Sequence, residues 1–270
     1  MGTCVSANSA NKVVSIKIDN TNIKETEHSL ADKRYSSQVN RKILLDYYAA
    51  ARSQMHRKIK QLFEIIFSGD HLDTKEINLN FTKIDVVGIY HIKTVLQYFE
   101  NLKSLSLWKT GIVSRDLKRL SKSFETLVKL ENLNLQGNNI DSEGGKYLSG
   151  ILRKTRQLKT LYLSENQLGY EGTISFAPSL RSISNLEQLA LDENKIQDEG
   201  LAALIPNLLY MTKLKYLGLR YNDLTINSKN NLELLATTLT NLKTLGLRDN
   251  EIPDSILQVI KFRAPKIEFV

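Results

Sequence analysis

The chain has 270 residues, 41% hydrophobic and 24% charged, a balance that excludes wholesale disorder and suits one large folded unit or two small ones. Its formal charge of +8 and pI near 9.3 come from basic residues spread among 29 acidic ones, which argues for solubility and attraction to anionic surfaces and against a nucleic-acid partner. Cys4 alone forms no intramolecular disulfide, the four histidines have no cysteines at metal-ligand spacing, and no apolar run is long enough to span a membrane, so an intracellular protein without metal or cofactor is expected.

The start, MGTCVS, matches the pattern for N-myristoylation, with Gly2 exposed once the methionine is removed, Ser6 at the favoured place and Cys4 positioned for palmitate. A single myristoyl chain binds membranes marginally, and a second chain makes residence stable. The bland alternative is an unmodified terminus, since Ala7 and Asn8 bring no positive charge. Residues 1–40 are rich in Ser, Asn, Lys and Thr and read as a flexible segment, with a short strand at Val13, Val14, Ile16 and Ile18 as the alternative. As a coil, such a tether reaches roughly 30 Å.

Residues 41–70 read as an N-terminal helical cap. Over 41–67 the apolar spacing is helical, with Leu44, Tyr48, Leu62, Ile65 and Ile66 turned inward and Arg41, Lys42, Arg52, Arg57, Lys58 and Lys60 outward. The basic face also suits a membrane-surface helix, and LFEIIFSGDHLD bears a loose resemblance to an F-box helix.

From residue 71 to 270 the chain repeats itself every 28 residues without insertion. Asn138, Asn166, Asn194, Asn222 and Asn250 occupy one column, preceded in it by Thr82 and Thr110. Ile77 through Leu245, Leu79 through Leu247 and Ile84 through Ile252 form three columns that are apolar at every step, and Leu102 through Leu242 a fourth. Between them the period changes from 2 to 3.6, as in the pairs Leu148 with Leu152 and Leu204 with Leu208. Gly88, Asp116, Gly144, Gly172, Gly200 and Ser228 stand where each helix begins or approaches its strand closely. Each of the seven repeats is therefore strand, loop, helix, loop, and Ile267 and Phe269 add a short terminal strand. A side-chain amide is both donor and acceptor, so the asparagines are expected to pair backbone groups buried where the chain leaves each strand.

This pattern resembles the leucine-rich repeat family, in particular its ribonuclease-inhibitor-like class. The resemblance covers about residues 72–270 and implies an α/β solenoid, a horseshoe with a parallel sheet on its concave side and helices outside. Stacked units share one core, because a single strand–helix unit cannot enclose its own apolar face.

Outward positions on the strands then form the binding face. One row across it reads Asn78, Ser106, Asn134, Tyr162, Ala190, Gly218, Gly246, and the next Asn80, Trp108, Gln136, Ser164, Asp192, Arg220, Arg248. Trp108, Tyr162, Tyr216 and Tyr221 are the aromatic contact candidates. Arg220 and Arg248, beside a shallow floor at Gly218 and Gly246, suit a carboxylate or phosphate group, unless Arg220 pairs with Asp192 or Glu193. No phosphate loop, nucleophile with a base, or metal cluster is legible. The expectation is a non-enzymatic adaptor that binds a protein, not a small-molecule substrate, at the cytosolic face of a membrane. The alternative is regulation of a small GTPase, since the same repeat class includes the activating protein of the Ran GTPase; fewer repeats and no acidic tail separate this chain from that protein.

Overall fold

The computed structural model describes residues 37–270, so Gly2, Cys4 and the alternating stretch 13–18 lie outside the described residues. The contacts divide the chain into a unit ending at Met55 and a second unit, His56–Val270. The first contributes helix α1 (Ser37–Ala51), whose buried stripe is Leu44, Tyr47 and Ala51. Steps of three and four residues keep that stripe on one side, which leaves Tyr48, expected inward, only half-buried.

The single helical run expected over 41–67 is two helices. The chain leaves α1 after Ala51 and restarts as α2 (Arg57–Ser68), where His56 Nδ1 accepts the Lys58 N–H at 3.2 Å and satisfies one of the open donors of the first turn. Gly69, at φ 94°, closes the helix in the left-handed region, with its N–H turned back on the Ile66 carbonyl. Ile59, Leu62, Phe63 and Ile66 are the buried residues of α2. Phe63 takes the place foreseen for Ile65, which is half-buried.

The second unit is a solenoid. Eight strands form one parallel sheet in sequence order: β1 (Glu76–Asn78), β2 (Ser104–Ser106), β3 (Asn132–Asn134), β4 (Thr160–Tyr162), β5 (Gln188–Ala190), β6 (Tyr216–Gly218), β7 (Thr244–Gly246) and β8 (Glu268–Phe269). Register follows the sequence period, Ile77 against Leu105, Leu105 against Leu133 and onward to Leu245. At the last step Leu245 meets Phe269, four residues early. The central residue of each strand from β1 to β7 is at most 3% exposed, so the columns that repeat in the sequence are the wall the repeats share.

The return helices are α3 (Val86–Leu96), α4 (Ser114–Leu120), α5 (Ser142–Leu152), α6 (Gly169–Phe176), α7 (Gln197–Leu208), α8 (Lys229–Thr238) and α9 (Asp254–Arg263). Helix α2 packs on α3 and its Lys58 Nζ donates to the Asn80 carbonyl at 2.8 Å, tying it to the first repeat. Two of the expected small positions act in different ways. Asp116 sits at N3 of α4 and accepts the Val113 N–H at 3.1 Å, the reciprocal half of a capping box. Gly144 instead lies so close to Ile140 and Ser114 that a Cβ would fall 2.3 Å from Ile140 Cγ2. A helix is about 10 Å across whereas parallel strands are about 4.8 Å apart, so a stack of such units bends with the sheet inside.

Candidate functional site

The site is built on the sheet face, and the turn that follows each strand positions its rim. The backbone there is left-handed in all seven repeats: Phe81, Lys109, Gly137, Glu165, Glu193, Tyr221 and Asp249 have φ between 51° and 65°. Only one of them is glycine. L side chains resist this region by about 1–2 kcal/mol, and continuing the ladder opposes that resistance. The N–H of each residue in the column from Phe81 to Tyr221 donates to the carbonyl of the next repeat, as Phe81 does to Trp108 at 2.9 Å and Glu193 to Arg220 at 2.8 Å.

Beneath the turn lie the asparagines. Asn222, with no exposed surface, accepts the N–H groups of Asn194 (3.0 Å) and Ile196 (3.3 Å) and donates to the carbonyls of Leu191 (2.9 Å) and Arg220 (3.0 Å). Asn138, Asn166, Asn194 and Asn250 make the corresponding bonds to Ile112, Ile140, Leu168 and Leu224 N–H. The Thr110 hydroxyl lies within donating distance of the Leu107 carbonyl of its own repeat at 2.9 Å and of Asn138 Oδ1 in the next at 3.1 Å, whereas the hydroxyl of Thr82 finds no partner among the described residues.

On the face itself, a concavity of about 700 Å³ extends over the later repeats. Four of the six expected contact residues, Tyr162, Tyr216, Arg220 and Tyr221, line it, together with Gln188, Asp192, Glu193, Lys215 and Lys243. Tyr162 donates its hydroxyl to Gln188 Oε1 at 2.6 Å. Burial raises the phenol pKa of both Tyr162 and Tyr216, and a hydrogen bond to Asp249 raises that of Tyr221; all three are neutral donors at neutral pH. Tyr221 is 52% exposed, whereas Tyr162 and Tyr216 are half-buried.

The glycine floor is not open. Asp192 lies across Gly218, where a Cβ would come within 2.3 Å of its Oδ2, and Arg220 lies across Gly246, where a Cβ would come within 3.2 Å of its Nε. Each glycine therefore makes room for the charged side chain of the preceding repeat. Arg220 does not pair with Asp192 through its guanidinium: the Asp192 carboxylate accepts the Arg220 backbone N–H at 2.9 Å and the Ser164 hydroxyl at 3.1 Å. Arg220 Nε is buried without an acceptor among the described residues. Arg248 lies in the next repeat, is exposed and does not line the concavity.

Trp108 lies toward the other end of the face. Its ring packs on Phe81 at 4.6 Å between centroids, with Lys109 Nζ 5.7 Å above it. Lys109 crosses Gly137, where a Cβ would lie 2.6 Å from Lys109 Cγ, and reaches Glu165 at 3.1 Å. Hydrogen bonding by Gln136, then by Lys109, holds the Glu165 carboxyl below its usual range. Phe81, 65% exposed, is an aromatic contact that the alternation of the strands did not reveal, because it sits on the left-handed turn just beyond them. Along the opposite rim Lys103 and Lys159 flank Glu131 at 2.9 and 2.5 Å, and Lys215 meets Glu187 at 2.6 Å. Hydrogen bonds from Lys159 and Lys103 pull the Glu131 carboxyl down to about 2. Most of the basic charge that a phosphate backbone would need is thus already neutralised here.

Among the described residues no helix is long and apolar enough to cross a membrane, and no group of three His, Cys, Asp or Glu side chains is placed to hold a metal ion. A family model described as Leucine Rich repeat matches residues 127–149, 156–177 and 182–204, which fall in successive repeats containing β3 to β5. No curated protein matches the chain.

Proposed function

The chain is a leucine-rich repeat protein, and from that premise we propose that it is a non-enzymatic interaction module whose protein partner lies on the sheet face. The observation that carries the reading is the concavity over the later repeats, lined by three tyrosines and charges of both signs. Tyrosine offers a large contact area at low entropy cost and is enriched at binding hot spots. The 28-residue period with a helix in each repeat supports placement in the ribonuclease-inhibitor-like class.

The proposal extends to location. The pattern MGTCVS supports acyl chains on Gly2 and Cys4, which would hold the module at the cytosolic face of a membrane. The alternative reading is regulation of a small GTPase, and its sign is faster hydrolysis when the chain is mixed with GTP-loaded GTPases.

Affinity capture with the full chain, followed by mass spectrometry, tests the binding face. Replacing Trp108 and Tyr162 together by Ala is expected to weaken capture of the recovered partner by about tenfold or more at little cost in thermal midpoint. Equal capture by parent and variant removes the sheet face from the proposal. For the tether, Gly2→Ala is expected to move the protein out of the membrane fraction; unchanged fractionation refutes acylation as the anchor.

A further inference from the structure

We propose that the C-terminal part of the sheet face takes an acidic, extended segment of a partner protein, whose carboxylates meet Arg220, Lys243 and Arg248. This rests on the sheet face being the binding face and specifies the chemistry of what it binds. Elsewhere on that face Lys103 and Lys159 share Glu131, Lys215 has Glu187 and Lys109 has Glu165, while Lys75, in the first repeat, turns to the Leu72 carbonyl. Arg220, Lys243 and Arg248 have none among the described residues, although Arg220 and Lys243 line the concavity and Arg248 follows Arg220 in its row.

The acids of the concavity are engaged differently. Glu165 is held by Gln136 and Lys109. Asp192 has one oxygen on the Ser164 hydroxyl and the other on the Arg220 backbone. Glu193 is left as the one acidic lining residue whose carboxylate has no hydrogen bond or ion pair among the described residues, against two such lining cations, Arg220 and Lys243.

Backbone donors point to the same chemistry. In the row running from Asn80 to Arg248 the main-chain N–H is taken by an acceptor at five of seven repeats. Asn78 Oδ1 accepts from Asn80, Asn80 Oδ1 from Trp108, Asn134 Oδ1 from Gln136, Asp192 Oδ1 from Arg220, and the Val270 carbonyl from Arg248. The N–H groups of Ser164 and Asp192 have no acceptor among the described residues, and both residues line the concavity. Side chains on the sheet face reach the equivalent groups in other repeats, so an incoming oxygen approaching from that face can reach these two. With the Nε of Arg220, which is buried and also lacks an acceptor, they leave three donors unmet in this part of the face. A peptide in extended form supplies carbonyl oxygens at the spacing of strands and carboxylates beyond them.

The test is a displayed random-peptide library panned on the full chain. Recovered peptides are expected to carry Asp or Glu at a fixed position. Changing that residue to its amide, or changing the protein by Arg220→Glu with Arg248→Glu, should each weaken binding about tenfold or more, with the thermal midpoint of the double variant showing that it is folded. Peptides without an acidic preference, peptides that bind the double variant as well as the parent, or recovery of no peptide at all each overturn the proposal. So does a phosphoserine version that binds more tightly than the glutamate one. If binding survives charge reversal but falls with Trp108→Ala and Tyr162→Ala, only the acidic chemistry is wrong. If it survives both, the sheet-face reading fails with it.

Discussion

Replacing Asn222 by alanine isolates what the asparagine column contributes. The substitution strips two buried N–H groups, those of Asn194 and Ile196, of their acceptor. It also removes two bonds to carbonyls, but both carbonyls keep another donor: Leu191 retains Asn194 Nδ2 at 3.2 Å, and Arg220 retains the Glu193 N–H at 2.8 Å. The loss is therefore concentrated in the two orphaned donors. At roughly 1–3 kcal/mol each, partly relieved by any water that enters the space of the lost amide, the cost is about 3–4 kcal/mol. Asn250 provides the control. It serves the same inventory, accepting the N–H groups of Asn222 and Leu224 at 2.9 and 3.1 Å, but it is half-exposed. Solvent can replace its amide there, and Asn250→Ala should cost about 1–2 kcal/mol. Urea denaturation followed by circular dichroism and by the fluorescence of Trp108 gives both values, compared at matched m so that local unraveling of an end repeat is recognised. Equal costs for the two substitutions, or less than about 1 kcal/mol at Asn222, refute the argument that burial of the turn's donors makes the amide necessary.

Two further substitutions and one titration follow from the packing. A Cβ at Gly145 would fall 2.1 Å from the Gly172 carbonyl oxygen, forcing α5 and α6 apart, so Gly145→Ala should destabilise by about 1–3 kcal/mol or more. Gly150→Ala, in the same helix with no atom within 4 Å of the new carbon, should stabilise by about 0.5–1 kcal/mol; thermal melts that reverse this order contradict the close approach. Burial lowers the His91 pKa from 6.5 to about 4, opposed by the charge of Asp85. The unfolded chain takes up that proton first, so the contribution is complete above pH 6.5 and is lost as pH falls toward 4, by up to about 3 kcal/mol. In His91→Gln the slope of stability against pH over that interval should flatten, and an unchanged slope assigns the acid sensitivity elsewhere.

What could be read before the coordinates follows from which forces act at a fixed distance along the chain. Burial selects the same kind of side chain wherever the same wall recurs, so Leu133, Leu161 and Leu189 announced both strand and register. Conformational strain left no such trace. The left-handed column requires φ near 55° of Lys109, Glu165 and Tyr221 alike, and only Gly137 and, more weakly, Asp249 among its seven members have residue types that would betray it. The cause is the ladder to the next repeat, which is indifferent to the side chain. For the same reason Phe81 escaped notice: alternation along a strand stops at the turn, yet the turn presents that ring beside Trp108.

The glycines illustrate the opposite error, a visible signal with two physical meanings. Gly218 and Gly246 look like a vacant floor when each repeat is read alone. Between repeats, Asp192 covers the first and Arg220 the second, because side chains in that row lean toward the following strand. That lean also separates the charges. The Asp192 carboxylate is drawn down onto the Arg220 backbone N–H, while the Arg220 side chain is carried one strand further, over Gly246. Two residues that sequence proximity of the columns suggests as an ion pair are held in successive steps of one staircase. The guanidinium is left facing the concavity for the same reason that the glycines are needed, so a Gly246→Ala substitution that lifts Arg220 should alter binding at that end of the face even though residue 246 touches no partner.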